Sequence, residues 1–378
     1  MRTSYTEQME NALFEQWDEF DDYNEDYSSL IEKLNSENAF RTFGEGLLFF
    51  LQKQNPELTS ETAIKYIEKV CQETGVLTKD IASANTLSNW FKGGPRPKKG
   101  EDSRRSMFAL AFTLKLTPAE TAELFHKVYL DRAFDYRNAN EIIYYFCLNN
   151  EKSWADATRL IDVVNGFNYE GTDHTVYTSQ IKSDIDSFAD ENELLLYLKN
   201  HTHNLEKSNV SAKKNLTELI EEAKKIVKEE AEQPEYAETF RGSDKDSLNF
   251  MYEVITSLSV SGDKGTKTLF KNARLPKEIK NRFPEAATLS KKEPTYEELR
   301  KLIILLFSYT YWYKVQWTGI DADIDDYIAQ INVYLIDSGF SPIYYGNPFD
   351  WMFLYCALSE RPLDVFRGLL SEVLEDEE

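Results

Sequence analysis

Apolar side chains recur at spacings of three and four along most of the chain, and a chain patterned in this way buries itself as packed helices. Ile64, Ile67, Val70 and Cys71 form one such stripe, and Met107, Leu110, Ala111 and Leu114 form another. Thr121, Leu124, Phe125 and Val128 repeat the spacing, as do Ile142, Ile143, Phe146 and Cys147. Near the carboxy terminus come Ile324, Ile328, Ile331 and Leu335, then Phe366, Leu369, Leu370 and Val373. Long alternating runs that would make half-buried strands are scarce, so the chain is read as all-α. Its 378 residues exceed one ordinary core, and its 42% apolar content is ample for burial, so a multi-domain helical protein is expected.

Helix boundaries are written in the caps. Thr117-Pro118 followed by Glu120 has the form of a capping box with proline at the first helical position. Arg361-Pro362 opens a final helix in the same way, and Gln233-Pro234 closes a charged helix spanning about 211–230. The polar stretch 235–247 and the Lys-, Pro- and Gly-rich stretch 261–294 are expected loops or boundaries. Three regions follow: 1–150, 151–240 and 241–378. No internal repeat at a fixed period is evident, which speaks against a regular solenoid.

Charge and cysteine content narrow the function classes. A formal charge of −22 opposes a protein that coats nucleic acid without selectivity, since phosphate contact needs cations. A local basic site survives that objection, because exposed charges are screened over about 8–10 Å in physiological salt. Cys71, Cys147 and Cys356 each sit in an apolar helical pattern and are expected as buried, reduced thiols. The acidic, amphipathic amino end lacks the apolar core of a signal peptide, and the greasy run from Leu302 to Phe307 is too short to cross a bilayer. A soluble, cytoplasmic protein without membrane contact is expected.

The segment from Thr86 to Leu116 carries the sharpest functional signal. A short Trp-centred helix precedes a Gly93-Gly94-Pro95 break, a dense basic loop and an amphipathic helix. With a first helix at Glu61 to Glu73, a Gly75 stop and a second helix starting near Leu77, this order resembles a repressor-type (Cro-like) helix-turn-helix module at about 60–130. The resemblance implies Thr86 to Phe91 as the recognition helix, with Leu87 and Trp90 anchoring it. Thr86, Ser88 and Asn89 would face base edges, Asn being suited to adenine. Lys92, Arg96, Lys98, Lys99, Arg104 and Arg105 would neutralise phosphates of double-stranded DNA. Arg104 to Lys115 and Pro118 to Leu130 would form the supporting pair. The spacing from Ile81 to Leu87 is several residues shorter than the family pattern, and the basic loop is longer. Homodimerisation is expected by analogy, since such modules read two half-sites.

Other constellations carry less. Asp321, Asp323, Asp325 and Asp326 lack the glycine and distal glutamate of a calcium loop and are read as acids at a helix amino terminus. Ser261 to Thr268 lacks the phosphate-loop spacing. His126, His174, His201 and His203 do not reach metal-site spacing, and no nucleophile has a recognisable base, so no enzyme, metal or cofactor is expected. A second basic stretch, Lys264 to Lys292, reads as a solvated loop or a segment bound to the chain's own acids, and the acidic run Asp18 to Asp26 as a solvated face. The aromatic-rich segment Gly339 to Arg367 is expected to pack a core, and its general look is similar to uncharacterised bacterial helical proteins with a helix-turn-helix-like amino terminus. Two functions follow: a DNA-binding regulator whose acidic remainder dimerises or holds a partner, or a protein-binding adaptor or inhibitor in conflict between phage and host.

Overall fold

The computed structural model describes residues 31, 40–98, 100–167, 178–188, 190–205, 210–233, 243–257, 283–291, 294–318 and 323–371. Every regular element among them is helical, in agreement with the all-α pattern. None of these helices is long and apolar enough to cross a membrane. Lys99, the acidic run 18–26, His174, Asp321 and every lysine and arginine of the second basic stretch except Lys291 lie outside the described residues, as does the side chain of His203.

The chain divides into two compact units, Arg41–Val210 and Ser211–Glu378, the second taking in residues 1–40. The break near 210 falls inside the middle region expected from composition, so two units replace three. The apolar stripe of the charged 211–230 helix, with Leu219, Ala223 and Val227, is buried in the second core. Ile31 and Phe40 also belong to that core, with the Phe40 ring edge-on to Trp351 at 6.1 Å.

The first unit contains α1 (Phe43–Gln52), α2 (Ser60–Thr74), α3 (Thr78–Ile81), α4 (Ala84–Phe91), α5 (Glu101–Thr113), α6 (Pro118–Leu124), α7 (Ala139–Asn149), α8 (Trp154–Asn165), α9 (Thr178–Ser187) and α10 (Glu191–Leu205). The Thr117 box and the Gly75 stop expected from the sequence are both present. Thr59 and Thr117 form capping boxes before α2 and α6, and Gly75 ends α2 at φ +74°. The helix from Pro118 stops being α-helical at Leu124 and continues as a π turn, Phe125–Tyr129, closed by Leu130 at φ +58°. α5 and α7 are the central helices: every residue from Met107 to Thr113 and from Glu141 to Leu148 is buried. The stripe read from sequence is therefore one side of a helix enclosed all round.

The second unit contains α11 (Val210–Ala231), α12 (Leu248–Thr256), α13 (Ala286–Leu289), α14 (Tyr296–Thr318), α15 (Ile324–Asp337), α16 (Pro348–Cys356) and α17 (Pro362–Ser371). The greasy run Leu302 to Phe307 is the buried middle of α14, and α16 is buried throughout. Polar residues that interrupt the run are satisfied in place: Ser308 donates to the Ile304 carbonyl at 2.6 Å and shares a hydrogen bond with Tyr327 Oη at 2.7 Å. The aromatic segment packs the core as expected, with Phe349 to Tyr355 all buried. Asp323 caps α15 by accepting from the Asp326 amide, which accounts for the aspartates there. All three cysteines are buried and none is in a disulfide.

Each unit is tied by a buried guanidinium. In the first, Arg104 on α5 holds Glu141 at the start of α7 through Nε–Oε1 (2.6 Å) and Nη2–Oε2 (2.7 Å). It also donates to Asp131 and to the Arg132 and Ala133 carbonyls at 2.8, 3.0 and 2.9 Å. In the second, Arg300 on α14 holds Asp350 on α16 at 2.7 Å from both Nη atoms and donates to the Ser341 and Pro342 carbonyls at 3.3 and 3.1 Å. Burial alone would lower the pKa of either arginine, but the facing carboxylates outweigh it and raise both.

Candidate nucleic-acid interface

The short helix expected at Thr86 begins earlier, at Ala84, because Ser83 is its cap: Ser83 Oγ accepts from the Thr86 amide at 3.2 Å. Leu87 and Trp90 are buried as the helix-turn-helix pattern requires. The Trp90 ring meets Phe43 edge-on at 4.8 Å. Gly44 lets α1 cross directly over the end of α4, since a Cβ there would stand 1.9 Å from the Trp90 carbonyl oxygen. α4 ends in a Schellman turn with Gly93 at φ +80°, where the Gly94 amide reaches the Asn89 carbonyl at 2.7 Å. α4 is thus fixed on its inner side and at both ends.

Its outer side exposes Asn85, Thr86 and Asn89, while Ser88 is half-buried. The Thr86 hydroxyl lies 2.9 Å from Ser83 Oγ, so it is partly committed to the cap. Asn85 was not singled out by sequence, and Ser83 three residues before Thr86 was the signal that would have placed it in the first turn. The short Ile81–Leu87 spacing is resolved by shrinking the second helix: α3 is a single turn, followed by extended Ala82 and the Ser83 cap. Buried Ile81 and a hydrogen bond from Trp154 Nε1 to Asp80 (3.3 Å) pin that turn. Lys79 on it is exposed and adds a cation that the sequence pattern did not mark.

The five described residues among the six expected phosphate contacts separate into different roles. Lys92 and Lys98 are exposed. Arg96 donates from Nε to the Val128 carbonyl (3.1 Å) and from Nη2 to that of Arg41 (3.3 Å), stitching the loop to the π turn and to the start of the unit. Tyr129 Oη donates to the Lys98 carbonyl at 2.8 Å, fixing the same loop. Arg105 is exposed, with its guanidinium 5.4 Å from the Trp154 ring centroid. Arg104 is turned inward to Glu141, and this buried pair replaces its expected phosphate role. The sequence could not separate it from Arg105, because its partners lie 27 to 37 residues onward. Glu101 and Asp102, exposed on the first turn of α5, are favoured by the helix dipole.

The surroundings are locally basic. Residues 41–132 hold fourteen Lys and Arg against eleven Asp and Glu, in a chain of net charge −22. Elsewhere, no group of three or more His, Cys, Asp or Glu among the described residues could hold a metal ion. His126 lies in the π turn, and the His201 ring rests 4.5 Å from that of Tyr197. A cleft of about 210 Å³ between α11, α14 and α15 contains Lys314 paired with Glu222 beside Tyr311 and Tyr334, with no nucleophile and base in register. Comparison with protein-family models, curated proteins and solved structures returns no match.

Proposed function

We propose that the protein is a non-enzymatic, DNA-binding regulator that contacts duplex DNA through the α2–α6 module, with the acidic second unit serving dimerisation or partner contact. One observation carries the reading: α4 is a short helix locked on its apolar side and capped at both ends, with amides and a hydroxyl outward and exposed lysines before and after it. Asn85 and Asn89 supply the donor–acceptor pair that suits an adenine edge. Lys79, Lys92 and Lys98 supply phosphate contacts, with Arg105 beside them. Arg96 and Arg104 support the module from inside.

A salt series on random duplex and genomic fragments tests this. Each phosphate contact contributes about −0.9 to the slope of log K against log salt, so Lys92→Ala/Lys98→Ala flattens the slope by about 2. Asn89→Ala costs about 1–3 kcal/mol on the preferred site and little on random duplex. No binding at low salt sinks the reading. The second reading, a protein-binding adaptor or inhibitor, is favoured by Val333 and Ile336, one turn apart on α15 and 66% and 61% exposed. Val333→Lys would then abolish partner capture while leaving DNA binding untouched.

A further inference from the structure

Arg104 and Arg300 share an acid and two carbonyls at the same register, Arg104 adding Asp131. In each unit the guanidinium takes an acid at the third position of an Asn-capped helix: Asn138 and Glu141 in one, Asn347 and Asp350 in the other. It also takes the two carbonyls nine and eight residues before that acid, Arg132 and Ala133 or Ser341 and Pro342. The same carboxylate accepts the amide six residues before it, from Asp135 at 2.7 Å or Tyr344 at 3.0 Å. Between them a turn closes in both units, Asn138 N–H to the Asp135 carbonyl and Asn347 N–H to that of Tyr344.

The correspondence runs without a gap from Leu130 to Cys147, against Gly339 to Cys356. Leu130 and Gly339 both have positive φ, at +58° and +76°. Tyr136 matches Tyr345, and buried Cys147 matches buried Cys356, six residues after the acid in each case. The arginines stand on helices buried through their middles, Met107 to Thr113 on α5 and Leu302 to Tyr309 on α14. Arg104 precedes its acid by 37 residues and Arg300 by 50, and most of the difference is the length of α14, 23 residues against 13 in α5. The change of acid goes with a change of donor atoms, the first carbonyl being taken by Nη1 of Arg104 and by Nε of Arg300. Glu141, a methylene longer, is gripped through Nε and Nη2, whereas Asp350 is gripped through both Nη atoms. An Asn cap with an acid in the first turn is a common local device. An acid, a turn and a pair of carbonyls at the same register in both units go beyond that local device.

We infer that the chain is a tandem of two copies of one helical module, each closed by an arginine that joins the central helix to the loop and cap of the next. The copies diverge ahead of the arginine. Thr86-Leu87-Ser88 and Thr288-Leu289-Ser290 both place a buried leucine there, but α4 has two turns and α13 one. The second copy keeps the frame and not the longer polar helix.

In both copies the loop itself offers the arginine the same two backbone carbonyls, and the acid lies outside it, so the eight-residue loop is exchangeable between copies. In the full chain, residues 131–138 are replaced by the sequence of 340–347, and amide hydrogen exchange is followed through α7. Protection at the first turn of α7 is expected within about tenfold of the parent, the loss coming from the Asp131 contact that Phe340 does not supply. A control carrying the same loop with one inserted glycine shifts both carbonyls and loses at least about a hundredfold. A transplant no better than the shifted control overturns the inference. Arg104→Met and Arg300→Met provide the second measurement. Loss of protection is expected across 131–141 in one and 340–350 in the other, and loss at non-matching segments likewise overturns it.

Discussion

Arg104→Met keeps an apolar stem of similar length and removes the five donors of the guanidinium. Those donors reach both Glu141 oxygens at 2.6 and 2.7 Å, Asp131 at 2.8 Å and two carbonyls at 3.0 and 2.9 Å. Without them Glu141 retains the Asp135 amide but no facing cation. Removing one partner of a buried pair costs about 3–5 kcal/mol, and a buried carbonyl left bare adds about 1–3 kcal/mol where water cannot reach it. A loss of about 4 kcal/mol is expected, roughly a thousandfold in protection against hydrogen exchange. The assay is exchange across 131–141 in the full chain, with urea unfolding alongside. Arg104→Met/Glu141→Leu recovers much of the loss, because apolar replacement of a buried ion pair is often neutral. Recovery stays incomplete, since the Arg132 and Ala133 carbonyls remain bare. A cost under about 1 kcal/mol, the range of an exposed ion pair, refutes the reasoning.

Gly44→Ala places a methyl 1.9 Å from the Trp90 carbonyl oxygen, and backbone there cannot move aside cheaply. It is expected to cost about 2–3 kcal/mol and to weaken DNA binding with stability, and an unchanged melting temperature refutes the close approach. Burial pushes the Cys147 thiol up to about 12, so iodoacetamide at pH 8 should modify it only as fast as the first unit opens; labelling within minutes in native buffer contradicts this. Burial would raise the Asp135 carboxyl, but Arg132 and Arg137 outweigh it and hold it below its ordinary range. The folded chain therefore binds that proton less readily than the unfolded chain. Its stabilisation is complete above about pH 4 and is lost as pH falls through the lower folded value. Asp135→Asn should flatten that part of the acid limb in a urea series, and an unchanged pH profile rules the assignment out.

Much of the local structure was legible in the sequence because its causes are local. Thr117 caps its helix through a side chain three residues away, Gly75 and Gly93 take left-handed turns, and the spacing of Leu87 and Trp90 buries both. The candidate interface was legible in outline for the same reason, down to exposed Thr86, Asn89, Lys92 and Lys98. The start of α4 was missed by two residues because Ser83 was not recognised as a cap.

Periodicity and caps thus determined an all-helical chain, most helix ends and the inner side of α4, since each depends on residues within one or two turns. Only the tertiary structure decided that Arg96 and Arg104 face inward, that two units replace three regions, and that both units share one buried arginine device. The reason is physical: that device is built largely from backbone carbonyls and amides, which every residue carries and no sequence pattern marks. An arginine in a basic run looks the same whether its partner is a phosphate or a carbonyl about thirty residues onward. Packing alone brings the second partner within 3 Å.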